Sequence, residues 1–424
     1  MDSLCELTNL KCLNCEKEYP PEWMFKGCPL CKTDTFVSNL TTVYDLQKIS
    51  EKLTRETFTG RVPTMWKYWE LLPVKKKEDI VTLGEGMTPL IKLERLGSEL
   101  NLKNLYVKDE SKNPTWSFKD RLCSSLTSKA KEFGFNVTTI SSTGNHGASA
   151  AAYAARAGMD CVIFTIARVP KTMKTLMQIF EGKLMATETY SERWQIMNEC
   201  IEKFGWALVG DYAAPLMVGV NPYGIDGYKT MAFEMCEQLD WKSPDLIVEP
   251  TGYANGITGV WQGFNEFYEL DFIDSAPRII AAERFGPLKN ALEKQLQFPE
   301  PVELEPSVAV SIAGNISSFQ GLKTIIESGG FAETVTDQEI LSMQKKLGQE
   351  GIYAEAASVA SLAVIKKLVE QRKIDQDEVV IAIVTSGGLK DPDVTRKILP
   401  EVPLIKPDMQ ELSAALKNVY NFQL

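Results

Sequence analysis

The sequence predicts an α/β protein: two three-layer parallel-sheet units and a small cysteine-bearing lobe at the N-terminus. Three observations carry this. From about residue 104 short apolar runs alternate with helical patterns, as parallel strands joined by crossover helices require. The runs are continuously apolar, so each sheet is covered on both faces. Four of the nine cysteines crowd into residues 12–31.

In chain order, the lobe comes first. Cys12-x-x-Cys15 and Cys28-x-x-Cys31 can converge on one tetrahedral zinc, with Gly27 and Pro29 suited to the turn. Four Cys ligands close the shell, so such a zinc is structural. The other reading is four unliganded thiols in a lobe that has lost its metal. Next, LYVK (105–108) reads as a strand. Phe118, Leu122, Leu126 and Ala130 then recur at helical spacing, stopped by Gly134. VTTI (137–140) is a strand, GASAAAYAARAG (147–158) a helix ending at Gly158, and CVIFTI (161–166) a strand. DLIVE (245–249), RIIAAE (278–283) and VVIAIV (379–384) complete the strand set. Expected domains are 1–45 for the lobe, 111–219 for a smaller α/β domain, and 46–110 with 220–424 for a larger one.

Composition narrows the chemistry. The chain has 424 residues, enough for two or three domains and a large core. Its formal charge is −10, which argues against nucleic acid or an anionic membrane as partner. No apolar run reaches the ~18 residues of a membrane span, and the acidic start is no signal peptide. Nine cysteines without a disulfide framework suit a reducing cytoplasm. The one histidine excludes zinc sites built on two or three histidines. The chemistry must come from Lys, carboxylates, hydroxyls, Cys or a borrowed cofactor.

Four loops just past predicted strands could carry it. In residues 110–121 Lys119 opens a helix, whose positive end disfavours the charged amine. Such a lysine is a nucleophile for carbonyls, or else a surface lysine in a charged turn. In residues 141–147 small and hydroxyl residues precede a helix, offering backbone N–H groups to an anion. Capping by Thr143 or Asn145 would use the same residues. Residues 250–259 form a glycine-bearing loop able to cradle phosphate, although it matches neither the P-loop nor GxGxxG. Residues 385–391, TSGGLKD, form the fourth.

NPTWSFKDR, STGNHG, the glycine loop and TSGGLKD occur in this order, with LGEGMTPL, NPYGIDGYKT (221–230), GIYAEAASVASL (351–362) and GLKDP (388–392). Together they resemble the fold-type-II pyridoxal-phosphate (PLP) enzymes, and within them threonine synthase. The likeness spans roughly residues 65–400. It implies the tryptophan-synthase-β-like fold, a homodimer, a small amino-acid substrate and PLP as cofactor. It also implies roles. Lys119 would hold PLP covalently and move the substrate's Cα proton. Asn145 would bond the cofactor's phenolic oxygen. Ser142, Thr143, Gly144 and His146 would bind the substrate carboxylate, with Trp116 nearby. Gly252, Tyr253, Ala254, Asn255, Gly256 and Ile257 would wrap the phosphate. Thr385 would face the pyridine nitrogen.

The chain departs from the family pattern in places. Trp116 stands where Gly is usual, as an indole over the substrate or one turned outward. Val218 and Gly219 replace an Asn-Ser pair, and Gly224 replaces an Arg that helps bind the phosphate of O-phosphohomoserine. Residues 311–320 also lack an Arg, and EAAS (355–358) replaces EPAS. The first expectation is a PLP-dependent carbon–oxygen lyase or synthase of the threonine synthase type. The alternatives are a divergent relative using another activated amino acid, and a non-catalytic binding protein on the same fold. His146 is either a pocket residue or a structural one.

Overall fold

A computed structural model describes residues 4–214 and 217–424, without the side chains of residues 213–219. The expectation for Val218 and Gly219 therefore concerns side chains outside those described.

The lobe is a three-stranded antiparallel sheet of β1 (Leu7–Cys12), β2 (Glu18–Tyr19) and β3 (Leu40–Tyr44), with β1 in the middle. Then come β4 (Leu90–Lys92) and β5 (Asn104–Asp109). Next are β6 (Val137–Ser141), β7 (Asp160–Ile166), β8 (Lys183–Thr187) and β9 (Ala207–Leu208), in one parallel sheet of order β8-β7-β6-β9. A hairpin, β10 (Asp211–Ala214) and β11 (Met217–Val220), follows. The chain then joins the sheet of β4 and β5 through β12 (Leu246–Pro250), β13 (Arg278–Glu283), β14 (Phe331–Thr334) and β15 (Val379–Val384). That sheet has the order β14-β13-β12-β15-β5-β4 and is parallel except at β4. Each continuous apolar run is a strand buried on both faces, as in LIVEP and VVIAIV.

Six helices position the site: α1 (Lys119–Glu132), α2 (Asn145–Ala157), α3 (Tyr190–Phe204), α4 (Pro222–Gln238), α5 (Asn255–Glu269) and α6 (Phe319–Glu327). Helix α2 ends at Gly158, whose φ of 70° is the left-handed cap glycine takes without strain. Helix α1 lies almost wholly buried between α2 and α4.

A buried ion network fixes α1. Arg121 reaches Glu110 through Nε at 2.7 Å and Glu234 on α4 through Nη1 at 2.6 Å. Lys108 on β5 donates to the other Glu234 oxygen at 2.7 Å. Burial alone would raise the Glu234 carboxyl, but Arg121 and Lys108 beside it bring it down to about 2. The lobe docks on α4 and α5: Thr42 and Tyr44 donate to Asp226 at 2.7 and 2.6 Å, and Gln262 donates to Thr41. Among the described residues no helix is long and apolar enough to cross a membrane.

Candidate active site

The loops that follow β5, β6, β12 and β15 come together, at the strand ends where ligands sit in parallel sheets. Lys119 begins α1 there. Its loop is held by Phe118 N–H, which donates to the Thr385 carbonyl at 2.9 Å, and by a bridge of Ser117 with Ser386; Ala354 in turn bridges Gly387. The Lys119 amine has no hydrogen-bond acceptor among the described residues. It lies 4.7 Å from the Phe118 ring centroid and 5.7 Å from that of Tyr228. Burial lowers its pKa, offset in part by Asp211, Cys123 and Glu249. A neutral amine is the form that attacks carbonyls and takes protons.

Two carboxyls share its surroundings. Burial raises Asp211, against the charge of Lys119 and a 2.6 Å hydrogen bond from Asn255 Nδ2. Burial pushes Glu249 up to about 8, against Lys119. The Glu249 carboxyl packs where a Cβ on Gly256 would stand, so any side chain at 256 would have to displace it. Near neutral pH Glu249 is largely protonated and does not repel an anion at this end of α5.

The loop 250–259 makes a cradle. Among the described residues, no protein acceptor takes the amide N–H of Gly252, Tyr253, Ala254, Asn255, Gly256 or Ile257. Ala254 sits at φ 66° as it turns the chain into α5. Ser317 and Ser318 brace the loop through the carbonyls of Gly252 and Tyr253, at 2.8 and 2.7 Å. Six free amides at a helix N-terminus suit a phosphate. The loop 141–147 is similar. The amides of Thr143, Asn145 and His146 have no protein acceptor among the described residues. The helix cap comes from neither Thr143 nor Asn145, the two sequence candidates. Ser142 Oγ does the work, accepting from Gly144 and Gly147 at 3.3 and 2.9 Å.

Asn145 is held from two sides. Its Oδ1 accepts from Lys390 Nζ at 2.7 Å, and its Nδ2 donates to Glu355 Oε2 at 2.8 Å. Sequence reasoning gave Lys390 and Glu355 no role, though both lie in quoted motifs. Burial lowers Lys390 to about 8, opposed by Asp120 and Glu355. Thr385 is buried and shares a 2.9 Å hydroxyl hydrogen bond with Ser358. His146 is buried too. Burial and the Lys119 charge hold its pKa well below the usual value, against a hydrogen bond with the Val209 backbone. Among the described residues its Nε2 has no partner, nor do the hydroxyls of Ser141 and Tyr228.

Trp116 adopts φ 60°, which explains why glycine would suit the position, and its side chain is 51% exposed. Its carbonyl accepts from Gly387 N and Ser386 Oγ at 3.0 and 3.2 Å. Gly224 lies on α4 against α1, where a Cβ would come within 3.0 Å of Leu122 Cγ. A side chain there would press on Leu122 and Leu126, which would have to shift to admit it.

These residues fit PLP: a free amine, an amide cradle for its phosphate, a hydroxyl at Thr385 and unpartnered buried polar atoms between them. The four lobe cysteines also converge, all Sγ lying within 4.8 Å of one another and two pairs at 3.8 Å. A tetrahedron with Zn–S bonds of ~2.3 Å has edges of ~3.8 Å.

Comparison with known proteins agrees. The family model described as "Pyridoxal-phosphate dependent enzyme" matches residues 81–386. The threonine synthase of Methanocaldococcus jannaschii is 36% identical over 416 residues, covering 96% of this chain and 99% of its own. That of Methanosarcina acetivorans is 36% identical, covering 96% and 98%. That of Mycobacterium tuberculosis H37Rv is 33% identical, covering 80% and 92%. Among solved structures, Escherichia coli diaminopropionate ammonia lyase aligns with TM-score 0.64 at 18% identity, covering 76% of this chain and 90% of its own. Maize serine racemase aligns with TM-score 0.62 at 19%, covering 74% and 91%. At such identities these two speak for the fold alone.

Proposed function

The chain belongs to the pyridoxal-phosphate dependent enzyme family, in its threonine synthase branch, and from that premise we propose that its cleft carries out elimination and replacement at the β or γ carbon of an activated amino acid. It is a PLP-dependent lyase of the threonine synthase type. The substrate we propose is an O-phosphorylated amino acid, O-phosphohomoserine first. Bound PLP supplies the electron sink that makes the substrate's Cα proton removable. Lys119 would hold the cofactor, and its amine would take that proton. The lowered pKa of its amine suits both tasks. The amides of 252–257 would bind the cofactor phosphate, and Asn145 would donate to the phenolic oxygen. Thr385 would offer the pyridine nitrogen a neutral hydroxyl partner. Residues 142–146 would line the place for the substrate carboxylate, the free amides of Thr143 and His146 donating to it while those of Ser142 and Gly144 are held by the Phe164 carbonyl and Ser142 Oγ.

One observation carries this reading: an unpaired amine and a set of free backbone donors meet at the strand ends of one cleft. The test is inorganic phosphate release from O-phosphohomoserine by the purified holoenzyme. Turnover supports the reading. Binding of PLP without phosphate release favours the second reading, a relative that kept the cofactor and changed its substrate. The packing of Leu122 against Gly224 is what favours that one.

We also propose a structural zinc on Cys12, Cys15, Cys28 and Cys31, and a cytoplasmic homodimer. Metal analysis and light scattering measure the first and the dimer directly.

A further inference from the structure

We propose that Arg193 is the ligand for an anionic group at the far end of the substrate, and so a residue that sets which activated amino acid the cleft accepts. This rests on the function proposed above.

The fold provides its buried cations with partners. Lys67, Lys108, Arg121, Lys129 and Lys229 each face a carboxylate. Lys390 donates to Asn145. Apart from the reactive Lys119, Arg193 in the first turn of α3 is the exception among the described residues. It is 7% exposed, yet its Nε and Nη1 are buried with no acceptor. It forms no ion pair, and what surrounds it is aromatic. Its guanidinium carbon is 4.7 Å from the Tyr190 ring centroid and 5.5 Å from that of Trp194. Burial lowers its pKa, and only the phenols of Tyr253 and Tyr190 oppose the shift. An uncompensated buried guanidinium destabilises the bare fold. Its planar fork matches phosphate or carboxylate with two donors at once.

Its place fits a distal group. Helix α3 packs on β10, which begins at Asp211. Asp211 influences Lys119, and Tyr253 senses both Asp211 and Arg193. Arg193 and Asp211 both act on Tyr253, which sets Arg193 beside the loop 252–257. On this proposal the distal group of the substrate lies on that side. The cofactor's phosphate is the other oxyanion that could meet it, since Tyr253 belongs to that loop.

The test compares wild-type holoenzyme with Arg193→Gln and Arg193→Lys. Probes are O-phosphohomoserine, its uncharged O-acetyl counterpart and inorganic phosphate. Loss of one partner of a buried charge pair is expected to lower kcat/KM for the phosphorylated substrate by roughly 30-fold or more. The loss falls mainly on KM, with less than about threefold change for the acetyl ester and partial recovery in Arg193→Lys. Arg193→Gln is expected to melt at the same or a higher temperature, since an unpaired buried charge is removed. Inorganic phosphate should raise the melting temperature of the wild type and not of Arg193→Gln. That arm stands even if neither ester is turned over, which would overturn the proposed substrate alone. Equal phosphate protection of both proteins, or equal loss for both esters, overturns the inference. Weaker PLP binding with unchanged substrate preference assigns Arg193 to the cofactor phosphate and overturns it as well.

Discussion

Lys390 Nζ donates to Asn145 Oδ1 at 2.7 Å, and this fixes which way round the Asn145 amide lies. A lysine can only donate, so the oxygen must face it and the nitrogen must face away. One Nδ2 hydrogen goes to Glu355. The second is left to donate to an acceptor in the cleft, as the proposed bond to the cofactor's phenolic oxygen needs.

Replacing Lys390 by Met should free the amide to rotate and weaken PLP binding about tenfold to a hundredfold, read by equilibrium titration of the cofactor. The lysine's pKa of about 8 also sets a limb. Activity that depends on the charged form should fall as pH rises through that value. Lys390→Arg should keep cofactor affinity and remove the limb from kcat/KM profiles up to pH ~9.5, because a guanidinium stays charged there.

The single histidine offers a direct reading of burial. His146 is neutral in the fold, its pKa held well below 6.5. The unfolded chain therefore binds the proton more readily below 6.5, and stability should fall as pH drops beneath that value. The expected slope is about 1.4 kcal/mol per pH unit until the folded group titrates. In NMR, one histidine C–H resonance should stay fixed between pH 8 and 6. His146→Gln should flatten that part of the stability curve.

The Arg121 network should be costly to break. Arg121→Gln leaves Glu110 and Glu234 buried without their main partner, and unfolding free energy should drop by about 3–5 kcal/mol in urea titrations. Glu234 has a depressed folded pKa, so its contribution is present above the ordinary carboxylate pKa. It should fade as pH falls toward about 2.

Zinc removal should reach the active site through a short relay. Asn39 Oδ1 in the lobe accepts from Gln320 N–H at 3.3 Å. Gln320 Nε2 donates to Asn255 Oδ1 at 2.9 Å, and Asn255 donates to Asp211 beside Lys119. Chelation, or Cys28→Ser, should lower the melting temperature and weaken PLP binding together. Purified protein should carry one zinc per chain.

Trp116→Gly should be neutral or stabilising by up to ~1 kcal/mol in thermal melts, since φ 60° strains any residue with a Cβ. Trp116→Ala keeps the strain and should gain nothing.

Much of this was legible in the sequence. Continuous apolar runs gave the buried strands within a residue or so, because burial on both faces leaves no room for polar alternation. The lobe cysteines were legible from spacing, since a tight turn brings each pair together. Lys390, Glu355 and Arg193 were not. Lys390 and Asn145 are 245 positions apart, and nothing local marks a residue whose partner arrives through topology. Arg193 sits in an ordinary amphipathic helix, and only its missing partners in three dimensions set it apart. Ser142 took the capping role because its side chain reaches back over the helix start, which the order of residues alone left open.

The central claim is that Lys119 carries PLP. Two cleft lysines, Lys119 and Lys390, have lowered pKa values, so chemistry alone does not choose between them. Borohydride reduction of the holoenzyme followed by peptide mass mapping does. The account predicts the reduced cofactor on Lys119 and none in Lys119→Ala. Label on Lys390, or an unchanged label in Lys119→Ala, would contradict it.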